Sequence, residues 1–421
     1  MKKALGAVAA LAVAAGLLTG CSSSESSDPN KKQDLTLWVY SDFTQGEAGA
    51  VMNKVVDDFK QEHANVGSVT LVPKNDADLL SGLMSGVGLP DAFSASARDG
   101  KKYRDAVGLL DLKPVFDEDY AKGFYPKALE TVSQDDGIWA VPFISYTPVI
   151  YRNLTVLKNA GIDPAEGTPT QQAFLDQLAK VQASGATPTH SWTKDDYFGP
   201  GAIMAADADK ITEGVKDGKT TIKPEELERT FQTVKDIDKF GNQSMIYKAD
   251  STMEAFKSNK LGYMIGGPWS EPAIKQSGVE YDFVLTPPYE KGGRTGGLQG
   301  WDFFYGVESK DEARNQLVAE LLKKLGSYDV QKEWTLQTGR PTLRQDVMDD
   351  PAVIGSSAMA KVSSEGLKGG MPQMDFMKSG VFWPTAMTDP VAQLGAGALT
   401  PKQTAEEFIK GINSLYAEAG E

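Results

Sequence analysis

Apolar positions recur along the chain with two alternating periods. Leu35 to Tyr40, LTLWVY, is a β-branched and aromatic run that predicts a nearly buried strand. Between Glu47 and Glu62, Val51, Val55, Val56 and Phe59 fall at helical spacing and predict a helix with one apolar face. Strands predicted over Ser68–Val72 (ended by Pro73), Pro90–Ser94 and Ile138–Val141, and a short helix through Leu79, Leu80, Leu83 and Met84, continue the alternation. Such an order predicts an α/β lobe with a largely parallel sheet. A second series starts at Val149–Tyr151. Thr170 caps a predicted helix with Phe174, Leu175, Leu178 and Val181 on its apolar face, and Pro224 opens another through Leu227, Phe231, Val234 and Ile237. Capping boxes read at Ser251/Glu254 and Ser309/Glu312 precede Phe256 and the Leu317, Leu321, Leu325 helix. Leu261–Ile265 predicts a strand, and Thr400, Pro401 and Gln403 open a last helix with Phe408, Ile412 and Leu415 on one side. These faces are core, and they carry no chemistry.

The first residues follow a different pattern. Lys2 and Lys3 precede an apolar stretch, Ala4 to Leu17, that is shorter than the ~20 residues of a membrane span. Leu18, Thr19, Gly20 and Cys21 resemble the lipobox of bacterial lipoproteins, which implies a signal peptide over 1–20 and lipidation of Cys21. Cys21 is the only cysteine, so no disulfide forms within the chain and stability outside the cell rests on the core. Residues 21–33, Ser-rich, read as a flexible tether.

At 421 residues the chain is long enough for two lobes, and its 41% hydrophobic and 24% charged residues are those of a globular protein. A net charge of −14 argues against nucleic acid and against an electrostatic grip on anionic lipid, and favours a neutral or cationic ligand. His63 and His190 lie in unrelated contexts and read as surface or capping residues. No nucleophile elbow, Walker loop or dinucleotide fingerprint is present, and no pair among the acidic residues is singled out for acid–base work. The reading is a binding protein, not an enzyme, with no cofactor and no metal.

Four stretches carry a family likeness: LPDAFSASARDGKKYRDAVGLLDLKP at 89–114, IWAVPFISYTPVIYRN at 138–153, MEAFKSNKLGYMIGGPWSEPAI at 253–274 and GGMPQMDFMKSGVFWPTA at 369–386. The GPW at 267–269 and the MPQM followed by FWP are its most specific parts. In these the chain resembles extracellular solute-binding lipoproteins of ABC sugar importers, the family of maltose/maltodextrin- and oligosaccharide-binding proteins. The resemblance implies an α/β, two-lobe periplasmic-binding-protein-like fold with an interlobe ligand cleft and several crossovers. It places the N-terminal lobe at 34–143 plus 299–347 and the C-terminal lobe at 147–297 plus 351–421. Breaks at Pro142 and Pro148, at GGRTGGLQG (292–300), and at Arg340–Pro341 and Asp350–Pro351 agree with crossovers there.

A sugar offers hydroxyls at its edge and C–H faces above and below, so its captor needs flat rings and planar polar groups. Trp269, on a rigid turn after a strand, either packs on the sheet or offers its face to a ligand, and the resemblance implies the latter. It implies the same for Trp383 and for Tyr197. Trp301 lies beside a crossover and is placed to close the cleft. Trp38, mid-strand, reads as core, and Met371, Met374 and Met377 read as a helical core face. Asp42 matches a family position that accepts from sugar hydroxyls, though an acid after a strand is equally a cap. Arg98 and Asp99 are a candidate pair for adjacent hydroxyls; some maltodextrin binders carry a tryptophan earlier in this loop, where this chain has Ala95. Asp76, Tyr146, Asp196, Glu271 and Asp302 complete the candidates. The implied function is capture of an oligosaccharide, foremost a maltodextrin-like α-glucoside, by a lipid-anchored monomer on the extracellular face of the membrane, and its delivery to importer permease subunits. The alternatives are another solute, such as a polyamine or vitamin, and a glycoside-acting enzyme.

Overall fold

The computed structural model describes residues 32–419 except 195–196, 208–209, 212–213, 217–218 and 370–380. The predicted first strand is part of β1, Gln33–Tyr40. The other main strands are β2, Val66–Lys74, β3, Ala92–Ser96, β4, Val141–Tyr146, β5, Val149–Asn153, β6, Tyr263–Gly266, β7, Tyr281–Leu285, and β8, Gly300–Gly306.

One sheet has the order β2-β1-β3-β8-β4. Leu35, Leu37 and Val39 of β1 point to one side, into a core with Val51, Val55, Phe59, Leu317 and Leu321. Trp38 points to the other, among Leu79, Phe93 and Tyr103, and is 8% exposed, as its mid-strand position predicts. The sheet is thus covered by helices on both faces, which is why its strands read as continuous apolar runs rather than alternating ones. The sheet is less parallel than the alternation predicts. β1 is parallel to β2 and β3, but β8 enters antiparallel to both β3 and β4, because it begins at the edge where β4 ends, Gly300 opposite Tyr146. β2 also runs through Pro73 instead of stopping there, since an outer strand leaves a proline no ladder bond to lose.

A second sheet, β6-β5-β7, is antiparallel throughout. Helices Gln171–Ala183, Pro224–Asp238 and Pro401–Ala419 pack Phe174, Leu178, Phe231, Val234, Phe408 and Ile412 into its main core. Three of the predicted helix starts hold, Pro224 at the first position of its helix among them. Thr170 Oγ1 accepts from the Ala173 amide at 3.1 Å, and Thr400 and Gln403 bond each other's backbone N–H. Two do not. Asp311, not Ser309, caps helix Glu312–Leu325, taking the Arg314 amide at 3.2 Å while the Ser309 hydroxyl donates to the Asp311 carbonyl. Helix Asp250–Lys257 starts after Ala249 without a side-chain cap.

The expected two-lobe α/β architecture is present. Core residues of 35–144 cluster with those of 301–343, and core residues of 149–298 with those of 359–416. Only Thr147 and Pro148 separate β4 of one sheet from β5 of the other, and a methyl group on Gly297 would meet the Pro148 ring at 2.6 Å, so two crossovers lie side by side. Among the described residues no helix is long and apolar enough to cross a membrane. The methionines at 371, 374 and 377 lie outside the described residues.

Candidate ligand-binding site

The C-terminal ends of β1, β3 and β4 open onto a cavity of about 340 Å³. Strand ends are where α/β sheets present ligand-binding groups, and Tyr40, Ser96 and Tyr146 occupy them here. Asp42, Phe43, Arg98, Ile144, Ser145, Asp302 and Arg340 complete the first-lobe side. The other wall consists of Tyr197, Phe198, Tyr247, Lys248, Pro268, Trp269 and Leu298.

Trp269 is the flat group of this wall, 40% exposed. Its placement depends on Gly267, where an added methyl group would lie 2.3 Å from the indole, so only glycine lets the ring fold back over its own turn. Tyr146 meets Trp269 edge-on from across the cavity, with centroids 5.0 Å apart at 87°. Gly300 is what allows Tyr146 to lie there, because a methyl on it would sit 1.6 Å from the phenol ring. Phe198 tilts against Trp269 at 5.8 Å and stacks on Tyr247 at 4.7 Å and 17°. Four rings therefore run in contact from one lobe to the other.

The charges are arranged in pairs. Arg340 Nη1 donates to Asp42 Oδ2 at 2.6 Å, and Arg98 Nε to Asp99 Oδ2 at 3.2 Å. Asp302, 8% exposed, lies on β8 opposite Ser96. Lys248 Nζ is 5.3 Å from the centre of the Tyr247 ring. Among the described residues no group of three His, Cys, Asp or Glu side chains is placed to hold a metal.

Of the sequence candidates, Asp42, Arg98, Tyr146, Tyr197, Trp269 and Asp302 line the cavity. Four others sit elsewhere. Trp301 is 2% exposed, in the first-lobe core with Phe303 and Tyr305, the side chains two and four places on along β8. Trp383 is 1% exposed and packs against Phe408 of the last helix; its neighbour Phe382 is the ring that meets Tyr197, edge-on at 4.8 Å. Asp99 is spent on Arg98 and Lys102, the latter at 2.6 Å. Glu271 accepts from the Tyr281 hydroxyl at 3.0 Å. Asp76 begins helix Asp76–Ser85, its side chain outside the described residues, as is Asp196. His190 is a further correction. It is fully buried, which pushes it down to about 4 and keeps it neutral, and it bonds the backbone of Ser191 and Ile265.

Sequence reading missed Tyr40 and Ser96, which the strand-end rule finds, and Arg340, whose partner Asp42 is 298 positions away. Tyr247 and Lys248 lie in a segment with no periodicity, where nothing marks them.

Residues 54–361 match the family of bacterial extracellular solute-binding proteins. The sn-glycerol-3-phosphate-binding periplasmic protein of Pectobacterium atrosepticum is 24% identical over 322 residues, 70% of each chain. Matches to that protein from Salmonella typhi and Escherichia coli span about half its length, 47%. Among solved structures, the GacH receptor of Streptomyces glaucescens, studied unliganded and with acarbose, superposes with a TM-score of 0.72 at 19% identity, covering 92% of this chain and 99% of that one. The cyclic α-maltosyl-1,6-maltose binding protein of Arthrobacter globiformis gives 0.74 at 15% identity, covering 92% and 100%. At these identities the likeness is one of fold.

Proposed function

The chain belongs to the family of bacterial extracellular solute-binding proteins, and from that premise we propose that it captures a short oligosaccharide, foremost a maltodextrin-like α-glucoside, and hands it unchanged to the permease of an ABC importer. The half-exposed Trp269 face, held on its glycine turn and met edge-on by Tyr146, carries the reading. An indole face matches the C–H face of a pyranose, while Asp42, Arg340, Arg98 and Asp302 supply planar groups for its hydroxyls. The proposed lobes are 34–143 plus 299–347 and 147–297 plus 351–421, and the separation of the cores supports them.

A phosphorylated polyol is the second reading, and the three cations Arg98, Lys248 and Arg340 at the cavity favour it. Against it, Arg340 and Arg98 each already hold a carboxylate, which an anion would have to displace. Calorimetric titration separates the two. Maltotriose is expected to bind and to be recovered uncleaved, with little dependence on salt. Binding of sn-glycerol 3-phosphate alone, weakening steeply with ionic strength, would establish the second reading instead.

The address follows from the first residues. We propose that Cys21 carries the lipid that holds the mature chain to the outer face of the membrane, with the Ser-rich tether between them. Cys21→Ser is expected to lose fatty-acid labelling and membrane retention while ligand affinity stays unchanged. A serine variant still labelled with lipid would refute the assignment.

A further inference from the structure

Behind the second-lobe wall lies a polar network, buried at Asp238, Ser191, Thr193 and His190 and reaching the surface at Gln243 and Lys194, that touches none of the cavity. Its centre is Asp238, the last residue of helix Pro224–Asp238, a position where a negative charge works against the helix dipole. The carboxylate is offset by donors from two other segments. Oδ1 accepts from the Trp192 amide at 2.7 Å, the Ser191 hydroxyl at 2.9 Å and the Thr193 amide at 3.3 Å. Oδ2 accepts from the Thr193 hydroxyl at 2.8 Å and from Gln243 Nε2 at 3.0 Å. Lys194 Nζ then donates to the Gln243 carbonyl at 2.9 Å, and the Ser191 amide to the Met245 carbonyl at 3.0 Å. His190 extends the network to a third segment. Its Nδ1 bonds the Ser191 carbonyl at 2.7 Å and its Nε2 accepts from the Ile265 amide of β6 at 3.2 Å.

In sequence each of these three segments precedes residues of the wall: 191–194 lies upstream of Tyr197 and Phe198, 241–246 adjoins Tyr247 and Lys248, and β6 leads to Pro268 and Trp269. We propose that Asp238 is the positioning residue of this wall, registering the three segments against one another through one buried carboxylate and its His190 extension. A buried carboxylate whose oxygens are filled by fixed donors sets geometry in a way apolar packing does not, and the stacked Phe198–Tyr247 pair depends on the spacing between 191–194 and 241–248. The consequence for ligand affinity rests on the proposed function; the positioning itself does not.

The test uses Asp238→Asn in the full chain, with Asp91→Asn as the control. Asp91 is a comparably enclosed carboxylate of the first lobe that accepts from Arg314 and the Thr36 amide, away from the cavity. In ligand-free hydrogen exchange, Asp238→Asn is expected to speed amides of 191–194, 241–248 and 263–269 together, by about tenfold or more, while Asp91→Asn leaves them unchanged. Faster exchange confined to 191–193, or spread equally through both variants, would overturn the proposal. If Asp238→Asn does not fold, Gln243→Ala decides: loosening of 191–194 and 241–248 is expected, and unaltered exchange there overturns it. With maltotriose as the probe, Asp238→Asn is expected to bind about tenfold more weakly and Asp91→Asn within about a factor of two of the native chain. Equal affinity in the two variants would refute positioning even where both melt earlier. A native chain that ignores maltotriose removes the proposed ligand and leaves the exchange pattern to decide the wall.

Discussion

Trp269→Ala is expected to weaken sugar capture by about 1 to 3 kcal/mol, roughly 5- to 150-fold, while the protein unfolds as cooperatively as before. The asymmetry follows from where the ring sits. At 40% exposure the indole gives little to the core, and the turn that bears it, Gly267 to Ser270, keeps its backbone bond from the Ser270 amide to the Gly267 carbonyl at 3.0 Å without it. What disappears is the flat surface that Tyr146 and Phe198 hold in place. Titration with maltotriose alongside a urea melt checks this. A variant with native affinity and a much lower midpoint would return Trp269 to the core and remove the main support for a stacked sugar.

The opposite outcome is expected for Trp383, the other platform that the family likeness implies. Its ring is 1% exposed, among Val391, Phe408 and Ile412, and truncation to alanine leaves a large cavity beneath the last helix. A loss of about 3 to 5 kcal/mol of stability is expected, with ligand affinity near native wherever the variant is folded. Denaturant unfolding gives the first quantity and titration the second. Weak binding by a variant of undiminished stability would place Trp383 back at the ligand.

The contrast between these two tryptophans shows what the sequence could and could not carry. Elements were legible wherever one period dominated: β1, helix Gly46–Glu62 and helix Pro224–Asp238 follow directly from apolar spacing. The buried side of Trp301 was legible too, because in WDFFY the period of two places Trp301, Phe303 and Tyr305 together on one face of β8, whose other face carries Phe304 into the second core of the lobe. Trp383 was not, because a 3-10 turn has no long period to reveal its buried side and the helix that covers it starts 18 residues later. Polar candidates failed for a different reason. Asp99 and Glu271 carry the right chemistry but are spent on Lys102 and Tyr281, and pairings of that kind depend on three-dimensional neighbours that composition does not display. Arg340, read only as marking a crossover, was missed as a site residue by the same logic, since its place at the cavity comes from Asp42 at the far end of the lobe's chain.

The seven tryptophans of this chain are not optically equivalent. Those at 192, 301, 334 and 383 are sealed from water, Trp38 and Trp139 are largely covered, and Trp269 alone meets solvent over a large part of its ring. Intrinsic emission is therefore expected to combine a mainly blue background, with a partial contribution from the incompletely covered Trp139, and one strongly water-relaxed, red-shifted component that originates at the cavity wall. At the proposed site, a molecule seated on that indole is expected to exclude water from it and shift mainly that component, so that occupancy would be read by colour, without a dye.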